Sequence, residues 1–402
     1  MNRSFWQAGH APTLLSAFLY FDLSFMVWYL LGPLQVQIAE ALQLDTQQRA
    51  LMVAVPILCG ALLRLFLGLM ADRIGAKRTG ALAQVVVIIA LAVAWKVGVH
   101  SLGQVLLLGV MLGVAGASFA VALPLASRWY PPEHQGTALG IAGAGNSGTV
   151  LAALFAPALA IAFGYQNVFG LACIPLLVVL AIFLVFAKDA PVAVPRKGLR
   201  DYATVLVGNR DSWWFMFFYA ITFGGFVGFA GALPGYFHDQ FGFEPKLAGW
   251  ATAACVLAGS LMRPLGGVIA DRIGGTRSLQ MVYVAVTVLV ATAALGIGGA
   301  AATVALFVLT LLCLGAGNGA VFQLVPQRFG AEIGLMTGLI GMAGGVGGFL
   351  LAAGLGVVKQ QLGSYALGLW LFAVVAMTAA LCLVGVKQRW RLHWAATGAA
   401  RV

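Results

Sequence analysis

The chain has 402 residues, of which 61% are hydrophobic and 9% charged, with 23 lysines and arginines against 12 acids and a net charge of +11. A soluble domain has roughly a quarter of its residues charged, so a water-soluble enzyme or binding module is excluded. The positive excess would suit nucleic acid, but it is scattered over short loops, which fits anionic lipid better.

Twelve apolar windows are long enough to cross a hydrocarbon core of about 30 Å. The first, Thr13 to Ile38, is not preceded by a short basic segment and cleavage site, so it is expected to be a retained span. It holds Asp22, in LYFDLSFMVW, the only carboxylate deep in any window. The second, Ala50 to Ala71, carries Arg64 and leads into the polar cluster Asp72-Arg73. Gly80 to Val97 and Leu102 to Ser127 follow, the latter holding Phe119 and leading to Arg128. The fifth, Gly136 to Phe163, is dense in glycine and contains Asn146. A tight turn separates it from the sixth, Asn167 to Ala187.

The longest polar interval, 188–212, comes next and divides the chain into residues 1–187, an expected cytoplasmic linker, and residues 213–402. The second half repeats the plan in windows Trp213 to Phe237, Leu247 to Ala270, Leu279 to Ile297, Ala301 to Val325, Gly334 to Val357 and Tyr365 to Val386. The eighth carries Arg263, followed by Asp271-Arg272; the tenth holds Asn318 and leads to Arg328. With both termini inside, the outer loops hold only Arg49, Lys96, Lys246 and Lys359, and the remaining basic loop residues fall inside, as the positive-inside rule requires.

A shift of 199 positions overlays Gly60 on Gly259, Arg64 on Arg263, Gly68 on Gly267, Asp72 on Asp271, Arg73 on Arg272, Gly75 on Gly274 and Arg78 on Arg277. The expected fold is therefore all-α and polytopic, with twelve transmembrane helices in two pseudo-symmetric six-helix bundles. Binding is expected at the midplane between the halves, as in secondary transporters.

Both arginines lie inside their spans. At about 1.5 Å per residue, Arg64 is roughly 12 Å from Asp72, close to the half-thickness of about 15 Å. Snorkelling would require a long climb, and recurrence at equal depth in the other half favours a substrate role. Permanently charged guanidinium forks call for an anion rich in acceptor atoms. Asp22 lies at similar depth. Alone, it would carry a proton; against Arg64 or Arg263, it would be a resident counter-charge displaced by the substrate; as a plain salt bridge or hydrogen bond, it would be structural. Asp72 with Arg73 and Arg128, and Asp271 with Arg272 and Arg328, are expected to latch the inner face. Asn318 fits substrate contact and an interhelical hydrogen bond equally well.

Gly68-Leu-Met-Ala-Asp72-Arg73-Ile-Gly75-Ala-Lys77-Arg78, repeated at Gly267 to Arg277, resembles the loop-2-to-3 signature of the major facilitator superfamily. The paired arginines, with the runs Gly140 to Gly148 and Gly338 to Gly348, resemble the nitrate/nitrite porter family across all twelve spans. Thr149 stands where that family usually has a glycine. The resemblance implies the major facilitator fold and nitrate, with nitrite a poorer fit, as substrate. It implies Arg64, Arg263 and Asn146 at the ion, with Phe119, Tyr219 and Phe223 as aromatic walls.

Small residues at spacing four let helices approach closely; the resemblance gives Gly143, Gly145, Gly148, Gly341, Gly344, Gly345 and Gly347 a sliding role as the halves rock. Family members with an acid in the FDLSFMVW context resemble proton-coupled symporters, which makes Asp22 the coupling residue and nitrate/nitrite antiport the nearest rival. A passive channel would need no duplicated halves, and a sensor would be expected to carry a soluble domain. No cofactor or metal is implied. The five cysteines lack paired spacing and the histidines are isolated. The expected partners are the anion, protons and the lipid bilayer, with no nucleic acid. A monomer in a bacterial inner membrane is expected, serving nitrate assimilation.

Overall fold

The structure is a computed structural model that describes residues 5–191, 198–329 and 333–394. Among them are twelve helices long and apolar enough to cross a membrane. In chain order they are α1 Ala11–Trp28, α2 Thr46–Ile74, α3 Ala76–Val97, α4 Leu102–Ser127, α5 Ala138–Phe163, α6 Tyr165–Phe186, α7 Arg210–Phe241, α8 Pro245–Ile273, α9 Gly275–Ala294, α10 Gly299–Phe329, α11 Leu335–Leu362 and α12 Ala366–Trp390. The number of spans expected from sequence is borne out. Large apolar side chains such as Leu62, Phe66, Ile89, Leu177 and Leu381 face outwards, as a hydrocarbon solvent allows.

Three windows that look continuous in sequence are broken in the fold. The first ends at Trp28, and a separate helix, Gln35–Leu42, follows a turn through Gly32-Pro33, where proline has no N–H to extend the ladder. The fourth is interrupted at Ala117-Ser118. In the fifth, a helix from Pro132 to Gly143 passes into a 3₁₀ turn, Ala144–Ser147, before the ladder resumes at Gly148. A run as poor in side chains as GAGNSG holds α-helix weakly, and a mid-helix 3₁₀ turn often marks a hinge. The expected linker, 188–212, contains a helix at Leu199–Gly208, and α7 already begins at Arg210, where the Asn209 side chain accepts from the Asp211 N–H at 3.0 Å.

The repeated glycines have distinct physical reasons. Gly75 and Gly274 close α2 and α8 with φ of 94° and 93°, a conformation L side chains rarely adopt. Gly60 and Gly259 make room: a Cβ would fall 2.9 Å from the Trp28 indole nitrogen and 2.6 Å from the Phe226 ring. At the α8–α10 crossing, a Cβ on Gly315 would overlap the Gly259 carbonyl. Across the seam between halves, Gly345 and Gly356 of α11 lie against Ala61 and Ala50 of α2, and Gly249 of α8 lies against Ala153 of α5.

Ion pairs and side-chain hydrogen bonds divide by face. On the face bearing the termini, Arg128 donates to Asp72 at 2.9 Å, as the sequence suggests. Arg328 differs from expectation: its Nε donates to Asp211 at 2.7 Å, not to Asp271, and Arg389 and Trp390 also donate to Asp211, each at 3.0 Å. Asp211, in the first turn of α7, is where the ends of α10 and α12 converge, and it is the acid that Arg328 meets. Arg73 and Arg272 have no ion-pair partner among the described residues. Both arginine–aspartate clusters stay within one half, so the expected latch across this face is not formed by them.

The Gly315 contact predicts a graded cost. Replacing Gly315 by alanine should destabilise the detergent-solubilised protein by about 1–3 kcal/mol, because two backbones must part. Gly385→Ala, where a Cβ meets nothing within 4 Å, should leave the thermal melting point within error. Equal melting points for the two variants would contradict the close α8–α10 crossing.

Candidate functional site

Arg64 is only 2% exposed, and the break in α4 supplies part of its coordination. At the interruption the Ala120 N–H turns back to the Ala117 carbonyl at 3.0 Å, leaving the Gly116 carbonyl to accept from Arg64 Nε at 3.3 Å. Arg64 Nη1 crosses the seam to the Gly341 carbonyl of α11 at 2.6 Å. A side chain at position 341 would crowd that guanidinium, since a Cβ would lie 3.3 Å from Nη1. The third nitrogen, Nη2, is buried without a hydrogen-bond partner.

The rest of the cation is faced by rings. Its central carbon lies 5.2 Å from the Phe223 centroid, 5.4 Å from Phe119 and 5.8 Å from Trp28. Trp28 is fixed by its indole N–H, which donates to the Pro56 carbonyl at 2.7 Å. Arg263, from the other half, approaches the same Phe119 ring at 5.9 Å and Phe322 at 5.7 Å. One of its Nη atoms is 3.5 Å from the Tyr219 hydroxyl, and the other is buried without a partner. Tyr219 stacks on Phe223 with centroids 5.0 Å apart and planes 3° from parallel. Gly344 permits this stack, because a Cβ there would lie 2.7 Å from Tyr219 and 2.8 Å from Phe223.

Two permanent cations, one from each half, thus share a phenylalanine at the seam. Neither has a carboxylate within ion-pair distance among the described residues. Ring faces offset some of the lost hydration, by about 0.5–2 kcal/mol each, against the several kcal/mol that burying an ion costs. Each fork retains an N–H group aimed at no protein acceptor. These free donors are chemically suited to an acceptor-rich anion.

Of the residues singled out from sequence, Arg64, Arg263, Phe119, Tyr219 and Phe223 are brought together, with Gly341 and Gly344 beside them. Asn146 and Asn318 are 2% and 1% exposed, and the Oδ1 of each is unpaired; neither bonds to a guanidinium. Gly145 and Gly148 do not touch the arginines; they let α5 pack on the backbone of Asp22. Gly347 lies against the Ala220 carbonyl, whereas a Cβ on Gly143 would meet nothing within 4 Å, so tight packing does not account for that glycine.

Asp22 is not set against either arginine. Its Oδ1 accepts from the Ser147 hydroxyl at 2.6 Å, and Ser147 ends the 3₁₀ turn of α5. The counter-charge geometry is therefore absent in this conformation. Sequence reasoning missed Ser147, Trp28, Phe322 and the Gly116 and Gly341 carbonyls. Phe322 had a signal: Gly116-Ala117-Ser118-Phe119 recurs as Gly319-Ala320-Val321-Phe322. Free carbonyls leave no such trace.

The family model described as Major Facilitator Superfamily matches residues 17–352. A protein of Mycobacterium tuberculosis named probable nitrate/nitrite transporter NarK2 is 35% identical over 382 residues, covering 92% of this chain and 95% of its own. The nitrite extrusion protein of Bacillus subtilis is 32% identical over 92% of this chain and 93% of its own. A probable nitrate/nitrite antiporter NarK1 of Thermus thermophilus is also 32% identical, over 83% of this chain and 82% of its own. Among solved structures, a bacterial homologue of the human lysosomal transporter Spinster, inward-facing and occupied, superposes with a TM-score of 0.71 at 16% identity, covering 96% of this chain and 98% of that one; this likeness speaks for the fold alone. With fold, paired cations and relatives in agreement, the chain is a transporter that belongs to the nitrate/nitrite porter family of the Major Facilitator Superfamily.

Proposed function

We propose that the chain carries nitrate, and nitrite less well, inward across a bacterial inner membrane together with protons, with both termini in the cytoplasm. The observation carrying the substrate reading is the pair of guanidinium groups, Arg64 buried and Arg263 half-buried, each with a buried, unpaired Nη and no carboxylate partner among the described residues. Nitrate is flat, singly charged and accepts hydrogen bonds without donating them. Arg64 Nη2 and Arg263 Nη1 can bond its oxygens from opposite halves, and the flat faces of Phe119, Phe223 and Phe322 around the two cations suit a planar ion. Phosphate esters and dicarboxylates also bind paired arginines, but they are bulkier than nitrate and not flat.

Inward movement of an anion opposes an inside-negative potential, at about 2.3 kcal/mol per charge per 100 mV, so accumulation requires a co-transported cation. Asp22 supplies a proton site. It is 7% exposed, lies in α1, and its carboxylate is engaged by the hydroxyl of Ser147 on α5. Protonation would weaken that hydrogen bond, linking the charge on Asp22 to the hinge in α5. The antiporter name of one relative keeps exchange as a second reading, and the same vesicles decide between them.

In proteoliposomes with an alkaline interior and no internal nitrite, labelled nitrate should accumulate above its external concentration and dissipate the pH gradient. Uptake that strictly requires internal nitrite would establish antiport instead. Asp22→Asn should abolish gradient-driven accumulation while leaving nitrate/nitrate exchange within a few-fold of wild type; unaltered accumulation would remove Asp22 from the coupling.

Arg64→Lys and Arg263→Lys keep the charge and lose the planar fork. Each should lower the initial rate of exchange at subsaturating nitrate about a hundredfold, the equivalent of roughly 2.8 kcal/mol. Near-wild-type rates in both would mean that the forks do not hold the ion.

A further inference from the structure

On the face opposite the termini, Arg49 near the start of α2 meets Asp239 in the last turn of α7. Its Nη1 donates to Asp239 Oδ1 at 2.9 Å, and its Nη2 pairs with Oδ2, so the fork is fully engaged. The Tyr365 hydroxyl, just before α12, donates to the same Oδ2 at 2.6 Å and accepts weakly from Arg49 Nη2 at 3.4 Å. Arg49 is 9% exposed. The ligand of this fork is a flat carboxylate accepting through two oxygens, held by a guanidinium and a phenol. Arg263 and Tyr219 present the same pair of groups at the centre of the protein.

Arg49 belongs to the first half, whereas Asp239 and Tyr365 belong to the second. Among the described residues, the hydrogen bonds that cross between halves lie at Arg64 or towards this face. They join Tyr29 to Ala230, Gln35 to Gly231, Thr46 to Gln360 and Arg49 to Asp239 and Tyr365. Opening this face, the external one in the proposed orientation, must pull Arg49 from Asp239. Arg49 and Arg64 share α2 and lie about 22 Å apart along it, so they move as one body. The freed fork then stands at the mouth of the path to Arg64, and leaving it unpaired in a partly desolvated site costs free energy.

We propose that Arg49 is an external docking site for the substrate anion, and that Asp239 is its built-in stand-in, filling the fork when this face is closed. An incoming nitrate takes the place of the carboxylate, passes to the central arginines, and Asp239 returns as the halves close behind it. Tyr365 stays with Asp239 in the second half and helps withdraw the carboxylate from the fork. This site rests on the anion-transport reading and adds a second position to it.

The proposal separates from a simple latch by sign. Nitrate uptake is measured in membrane vesicles of known orientation, from each side, for wild type, Asp239→Asn, Arg49→Gln, Arg49→Lys and the double variant Arg49→Gln/Asp239→Asn. If Arg49 docks the anion and Asp239 competes, Asp239→Asn lowers the external KM several-fold and Arg49→Gln raises it about tenfold. Arg49→Lys falls between, and the double variant behaves like Arg49→Gln. KM from the other side stays within twofold throughout. If the pair is only a latch, Asp239→Asn and Arg49→Gln shift the external KM in the same direction, which overturns the proposal, as would unchanged values in both. A variant that fails to insert is replaced by competition on wild type: external formate, a small carboxylate, should raise the external nitrate KM more than it raises the KM from the other side, and equal inhibition from both sides overturns the docking site. Wild-type vesicles that take up no nitrate would instead defeat the underlying transport reading.

Discussion

Arg64 and Arg263 sit at the seam of the two halves with hydrogen bonds unfilled and no opposing carboxylate among the described residues, and much of the surrounding architecture follows from that. A guanidinium in a low-dielectric interior needs carbonyl dipoles, ring faces or an anion. The protein supplies part of the first two and withholds the third. The interruption of α4 frees the Gly116 carbonyl, and α11 extends Gly341 across the seam. Gly344 leaves room for the Tyr219–Phe223 stack. Satisfying the arginines completely from within the protein would remove the reason for an external anion to bind. Partial satisfaction keeps the fold intact and the site receptive.

The duplicated pattern made most of the fold legible in advance. The spans and the two six-helix halves followed from apolar length and from identities at a fixed offset, because bilayer thickness and a repeated motif are written directly in residue order. The breaks in the first, fourth and fifth windows were less visible. Ala117-Ser118 looks like any small-residue stretch, and whether it stays helical depends on what its carbonyls find in three dimensions. The Arg328 partner was misassigned for a related reason. Symmetry pointed to Asp271, but Asp211 sits where α7, α10 and α12 converge, a convergence no offset in sequence reveals. At the centre, the charged and aromatic members were readable as residue types, whereas Trp28 and the carbonyl acceptors were supplied by packing.

The two faces are built differently. On the terminal face the strong ion pairs, Asp72 with Arg128 and Asp211 with Arg328 and Arg389, remain inside single halves and stiffen each as a body. On the opposite face, polar contacts span the seam. Rocking of two rigid bodies needs this combination: internal bonds that survive the motion, and cross-seam bonds on one face that can be exchanged for others. The glycines of α11 let its backbone lie close against α2, with no large side chain between them.

The aspartate of α1 and the arginines are not in contact, so any coupling must pass through intervening structure. Asp22 holds the end of the 3₁₀ turn through Ser147, and Gly148 packs on the Asp22 backbone so closely that no larger residue fits. The adjacent residue, Phe21, rests on the Phe119 ring with centroids 5.7 Å apart, and a Cβ on Gly145 would fall 2.5 Å from Phe21. Phe119 in turn faces both guanidinium groups. In the proposed cycle, a change of charge on Asp22 would bear on the 3₁₀ turn, which is packed on Phe21 and through it on Phe119, the ring that faces both cations. The connection is short, and it runs through a turn in which 3₁₀ and α-helical hydrogen bonding are close alternatives. In the proposed transport cycle, a carboxylate that alters that turn would give protonation a mechanical consequence at the paired arginines without approaching them.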